Sequence, residues 1–158
     1  MNAPSGSART LAGCLVITGD GEFLVCRETR GAFDPVAVHP GLQLTWDNRF
    51  VVRFTRPGLS PKNGPWLGRL ESKGWSEIVR VRPELRASLI PGPARLSLPA
   101  LIDDAGIVQV PHIGYRRPAG LDFGPDPGVE FDEIQFRPPN TLSNVGFFLL
   151  NVPDILSL

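Results

Sequence analysis

Histidine, lysine and cysteine are scarce in this chain. Its 158 residues hold two histidines (His39, His112), two lysines (Lys62, Lys73) and two cysteines (Cys14, Cys26). There is no His-x-x-x-His or Cys-x-x-Cys pair, so a metal centre would need scattered ligands, and none is expected. Both cysteines lie in apolar, strand-like segments. That argues against a disulfide scaffold and for small buried thiols. The nucleophile elbow Gly-x-Ser-x-Gly is missing, as are the Walker and Gly-x-Gly-x-x-Gly phosphate loops. No apolar run approaches the roughly 20 residues needed to span a bilayer. The opening MNAPSGSART lacks the apolar core of a secretory leader. The expectation is a soluble cytoplasmic protein with no membrane partner and no cofactor of its own.

Hydrophobic residues make up 42% of the chain, enough for one packed domain at this length. The formal net charge is zero, but it is unevenly spread. Between Trp46 and Arg117 there are 12 basic and 6 acidic residues, net +6. From Gly120 onward Arg137 faces six acids, net −5. Fourteen of the sixteen basic residues are arginine, whose planar fork suits bidentate phosphate contacts. The middle of the chain can therefore present a cationic surface.

Punctuation by proline and glycine outlines the elements. Residues 1–10 read as a flexible tail and 11–158 as a single domain. TLAGCLVI and EFLVCRE form a hairpin around Asp20-Gly21, and QLTW and RFVVRFT form a second around Asp47-Asn48. In the latter, Phe50, Val52 and Phe54 share one face. Residues 56–65 read as a loop, with another turn at Lys73-Gly74. SEIVRVRPELRASLI reads as one or two short helices, with Pro83 opening the second. Pro91 and Pro93 open a helical turn through Arg95. LPALID and IVQVPHI are strands around Asp103-Asp104-Ala105-Gly106. VEFDEIQF and NVGFFLLNV are further strands. The fold class is α+β: about eight short, mostly antiparallel strands with two or three short helices.

The stretch RLSLPALIDDAGIVQVPHIGY places two adjacent aspartates near His112. Acid/base pairs converge on one bond, usually from different elements, whereas neighbours in a turn diverge. Aspartate before glycine is favoured in turns because its carboxylate bonds the local backbone. The pair therefore reads as a turn, and His112 as a hydrogen-bonded, half-buried histidine, with an RNA contact as the second reading. EFLVCRETR is similar to the opening strand of Nudix hydrolases, but the acid-rich magnesium helix those enzymes need does not follow it. No catalytic residue is assigned.

The same stretch, with Arg95, Pro99, Ala100-Leu101, the Asp103-Asp104-Gly106 turn and Ile107–Val110, resembles the C-terminal domain of tRNA(Ile)-lysidine synthetases. So does the wider order over residues 9–150: TLAGC, LVCRE, Trp46-Asp47-x-Arg49-Phe50, Gly74-Trp75 and LPAL. This order is similar to the alphaproteobacterial-type extension. The resemblance implies an accessory domain that contacts tRNA and packs with the enzyme's catalytic domain, where ATP and lysine are used. The Ser-Gly-Gly-x-Asp-Ser loop of that catalytic domain is absent here, so the chain alone is expected to be no enzyme. Candidate RNA-binding residues are Arg80, Arg82, Arg86, Arg95, Arg116, Arg117 and His112. Arg82 and Arg86 would share a face if one helix ran through both. The alternative expectation is a structural or docking module without RNA contact.

Overall fold

The computed structural model of the chain describes residues 6–19, 21–31, 33–55, 65–118, 120 and 128–138. Among these residues the fold is α+β, but with eleven strands in three antiparallel sheets rather than about eight strands. Very short pairings account for part of the difference: β4 (Val36–Ala37) and β10 (Tyr115–Arg116) have two residues each. Neither is long enough to show a period.

The first sheet is a meander of β1 (Ser7–Leu11), β2 (Cys14–Gly19) and β3 (Glu22–Arg27). Its first strand begins at Ser7, inside the span expected to be tail, and pairs with β2 in unbroken register. A tight turn at Ala12-Gly13, both at positive φ, folds it back. The second sheet has the order β10-β9-β8-β7-β4, with β7 (Trp66–Arg69), β8 (Pro99–Asp103) and β9 (Gly106–Val110). The third is β11-β6-β5, with β5 (Gln43–Trp46), β6 (Phe50–Thr55) and β11 (Glu130–Phe136).

Helix α1 spans Glu71–Val81, so Lys73-Gly74 lies within it and is not a turn. Gly74 has a packing reason to be there. A Cβ on it would come within 2.8 Å of Ile107 Cδ1 and 3.0 Å of Leu70 Cδ1. The missing side chain lets the helix approach β9. The helix ends before Pro83, which disfavours helical dihedrals at Arg82; Arg82 has φ −128° and ψ 74°. A 3-10 turn (Pro83–Ala87) and the helical turn α2 (Gly92–Arg95) follow, both opened by proline as expected.

The core has two compartments on opposite faces of the second sheet. Trp46, Phe50, Val52 and Phe54 of the third sheet pack on Leu67, Leu101 and Val108. On the other face Leu70 and Ile78 pack on Ala100, Ile107, Val110 and Tyr115. Alternation along β8 and β9 supplies both, Leu101 and Val108 facing one way and Ala100 and Ile107 the other, and the irregularity in the β8–β9 register beside Val108 returns Val110 to the face of Ile107. The expected face of Phe50, Val52 and Phe54 is buried. Each such side chain contributes about 1.5–3 kcal/mol on leaving water. The expected strand NVGFFLLNV and the loop over 56–64 lie outside the described residues.

Candidate nucleic-acid interface

β8 and β9 form the hairpin expected from the sequence. Asp103 Oδ1 accepts the Ala105 N–H at 2.9 Å, which is the local carboxylate–backbone bond that makes aspartate a turn residue. Gly106 sits at φ +118°, and a Cβ there would lie 2.3 Å from Glu77 Oε1. Glu77 uses that oxygen to accept the Ile107 N–H at 2.8 Å, tying α1 to the hairpin. Asp103 does more than turn the chain. It holds the Arg117 guanidinium in a two-pronged pair at 2.7 and 2.5 Å. Their side chains are only 14% and 6% exposed. The hydrogen bond to Asp103 is the main reason the Arg117 pKa is raised above its ordinary value.

The seven candidate RNA-binding residues fall into different settings. Arg80, in the last turn of α1, and Arg86, in the 3-10 turn, are exposed and form no ion pair among the described residues. Arg82 pairs with Glu84. The break at Arg82 means that it and Arg86 do not share one continuous helical face. Arg95 lies over the Trp75 ring at 4.1 Å, so α1 and α2 present a stacked guanidinium–indole pair. Arg116 pairs with Glu130 of β11, and Arg117 with Asp103. The acidic section near the C-terminus thus docks on part of the basic middle. Asp132 and Glu133 also pair with Arg53. His112 rests edge-on against Phe50, ring centroids 5.2 Å apart, without a hydrogen bond among the described residues. The residue is exposed, so the expected half-buried, hydrogen-bonded histidine is not what the fold provides: Phe50 shields one side of the ring and no polar partner among the described residues takes the other. Burial against this ring, then the nearby Arg49 charge, lowers its pKa.

A second arginine cluster was not singled out from the sequence. The β5–β6 turn places both Asp47 and Asn48 at positive φ, closed by the Arg49 N–H on Trp46 O at 3.0 Å. This buries the Asp47 carboxylate, 4% exposed, beneath three guanidinia. Arg49 reaches it at 2.7 Å, Arg27 at 3.2 Å and Arg69 at 3.6 Å. Arg69 also lies 4.3 Å over the Phe33 ring. One carboxylate cannot neutralise three arginines, and the group keeps a local charge of about +2. Burial lowers the Arg49 pKa; Asp47 opposes that shift, while Arg27 and Arg69 add to it. Cys14, Val25, Phe136 and Pro138 join Arg27, Arg49 and Asp47 around an open cleft of about 570 Å³. The signal for this cluster is tertiary. Arg27 ends one sheet, Asp47 turns another and Arg69 ends a third strand.

Both cysteines are free, Cys26 buried and Cys14 half-buried. Burial, then Cys14, raises the Cys26 pKa, which disfavours a reactive thiolate. Among the described residues no three His, Cys, Asp or Glu side chains gather as a metal site would require. No helix among them is long and apolar enough to cross a membrane. Comparison with protein-family models, curated proteins and solved structures finds no match to this chain.

Proposed function

We propose that this chain is the non-catalytic, tRNA-contacting C-terminal domain of a tRNA(Ile)-lysidine synthetase, which helps the ATP-dependent ligase hold tRNA while lysine is attached to the wobble cytidine. One observation carries the reading: the separated motifs behind the resemblance meet in space. Arg27 of LVCRE pairs with Asp47 of the Trp-Asp-x-Arg-Phe hairpin. Arg49 of that hairpin donates to Ser97 O, two residues past Arg95, at 2.9 Å. Arg95 in turn stacks on Trp75 of the glycine-tryptophan corner. The exposed Arg80 and Arg86 lie close in sequence to that stack and suit sequence-tolerant phosphate contacts.

The test is charge reversal at Arg80 and Arg86, both exposed and without an ion pair among the described residues. Fluorescence anisotropy with tRNA(Ile) should show weaker binding and a salt slope lower by about 1 for each phosphate contact removed. An unchanged affinity and slope in the double variant would argue against this face.

A docking module is the second reading, favoured by exposed apolar side chains on the first sheet. Leu11, Phe23 and Val25 are 71%, 72% and 62% exposed. Such a face is unusual on a monomer. Light scattering tests it: self-association or capture of a catalytic domain supports docking, and a clean monomer that binds tRNA argues against it.

A further inference from the structure

We infer that the cleft between β3, the β5–β6 turn and the end of β11 is a nucleotide site, in which Arg27 and Arg49 hold a phosphate and Phe136 receives the base. The inference rests on the RNA reading for the source of the nucleotide, but the site is argued from its own geometry.

The charge comes first. Arg27, Arg49 and Arg69 share one carboxylate, and that carboxylate is buried behind them. Asp47 acts as an anchor: it fixes the guanidinia without cancelling their charge. Arg69 is held deepest, with 6% of its side chain exposed, and its Nε is buried without a partner among the described residues. Arg27 and Arg49 lie further out, 33% and 22% exposed, and both line the cleft. Each is also clamped to backbone: Arg27 donates to Gly13 O at 3.1 Å and Arg49 to Ser97 O at 2.9 Å. Clamped side chains lose little further freedom when they bind, so the forks are preorganised. Arg49 Nη1 makes no hydrogen bond among the described residues and is not buried, so it is open to an anion; Arg27 Nε is buried, and Arg27 would act through its Nη groups and its charge. An anion with several oxygens answers this arrangement, and phosphate matches the planar fork.

The other half of the cleft is apolar. Val25 is 62% exposed and Phe136 60% exposed, side by side with the arginines in the lining. Phe136 is braced edge-on by Phe50 at 5.6 Å between centroids. An exposed, braced ring next to a cationic fork is the pairing that binds unpaired nucleotides, with stacking for the base and guanidinium for the phosphate. Inorganic phosphate would use only half of it.

The experiment uses the full 158-residue chain and a labelled uridine hexanucleotide, followed by anisotropy at low salt. Arg27→Gln and Phe136→Ala should each weaken binding by roughly fivefold or more. Thermal unfolding checks that both variants fold; Phe136, being exposed, carries the test if Arg27→Gln does not. No binding of the hexanucleotide, or binding indifferent to folded Arg27→Gln and Phe136→Ala, overturns the site. Uridine 5′-monophosphate competing as well as the hexanucleotide supports a site for free nucleotide; competition by the polymer alone supports a strand. A tRNA bound equally by parent and both variants overturns the cleft while leaving the RNA reading intact. Hexanucleotide binding that persists where tRNA fails to bind supports the cleft and overturns the tRNA reading.

Discussion

Replacing Asp103 with asparagine isolates the ion pair that ties Arg117, just after β10, to the end of β8. The substitution is nearly isosteric and keeps an oxygen to accept the Ala105 N–H. It removes the nearest of the charges that act on Arg117, whose side chain is 6% exposed. Breaking a buried pair from one side costs about 3–5 kcal/mol, because the remaining charge stays desolvated. Asparagine can still accept one of the two Arg117 hydrogen bonds, which sets the expectation at the low end, about 3 kcal/mol. A whole domain is stabilised by only about 5–15 kcal/mol. The loss should lower Tm by about 6–12 °C for a domain of this size. Urea unfolding measures it, and a double-mutant cycle with Arg117→Met separates the pair from the turn. The double variant should be more stable than Asp103→Asn alone, because the buried charge is then gone from both sides. An Asp103→Asn protein within about 0.5 kcal/mol of the parent would refute the reasoning, since that is the scale of an ordinary surface change.

Asn48 sits at φ 50° in the β5–β6 turn. Asn48→Gly should hold or raise stability, and Asn48→Ala should cost about 1 kcal/mol, by urea unfolding; equal stabilities would contradict the turn geometry. His112 has a folded-state pKa below its ordinary value, held down by burial against Phe50 and by the Arg49 charge. The unfolded chain then binds the proton more readily. The histidine's contribution is whole above its unfolded pKa of about 6.5 and is lost as pH falls through the folded value. Between pH 7 and 5 the parent should lose more stability than His112→Gln; parallel profiles would refute this.

Much of the fold was legible because its signals are local. Proline before a helical turn, Asp-Asp-Ala-Gly between apolar runs and the alternation of Phe50, Val52 and Phe54 each act within a few residues. Lys73-Gly74 misled for a related reason. Glycine there serves close packing against Ile107 rather than a turn, and only the partner element shows it. The site was legible in part. The turn role of Asp103 follows from its neighbours, but its grip on Arg117 spans 14 residues. The Asp47 cluster joins Arg27, Arg49 and Arg69 through three strands whose packing no period reveals. Charge counting found a basic middle. It could not show that Glu130, Asp132 and Glu133 would come back to pair with Arg116 and Arg53.

The most direct test of the tRNA reading is a titration of the 158-residue chain with tRNA(Ile) across a salt series. The account predicts binding at low salt, with log K falling linearly against log salt. At roughly −0.7 to −0.9 per phosphate neutralised, three or four contacts give a slope of about −2 to −4. No binding at low salt, or an affinity that does not move with salt, would contradict it.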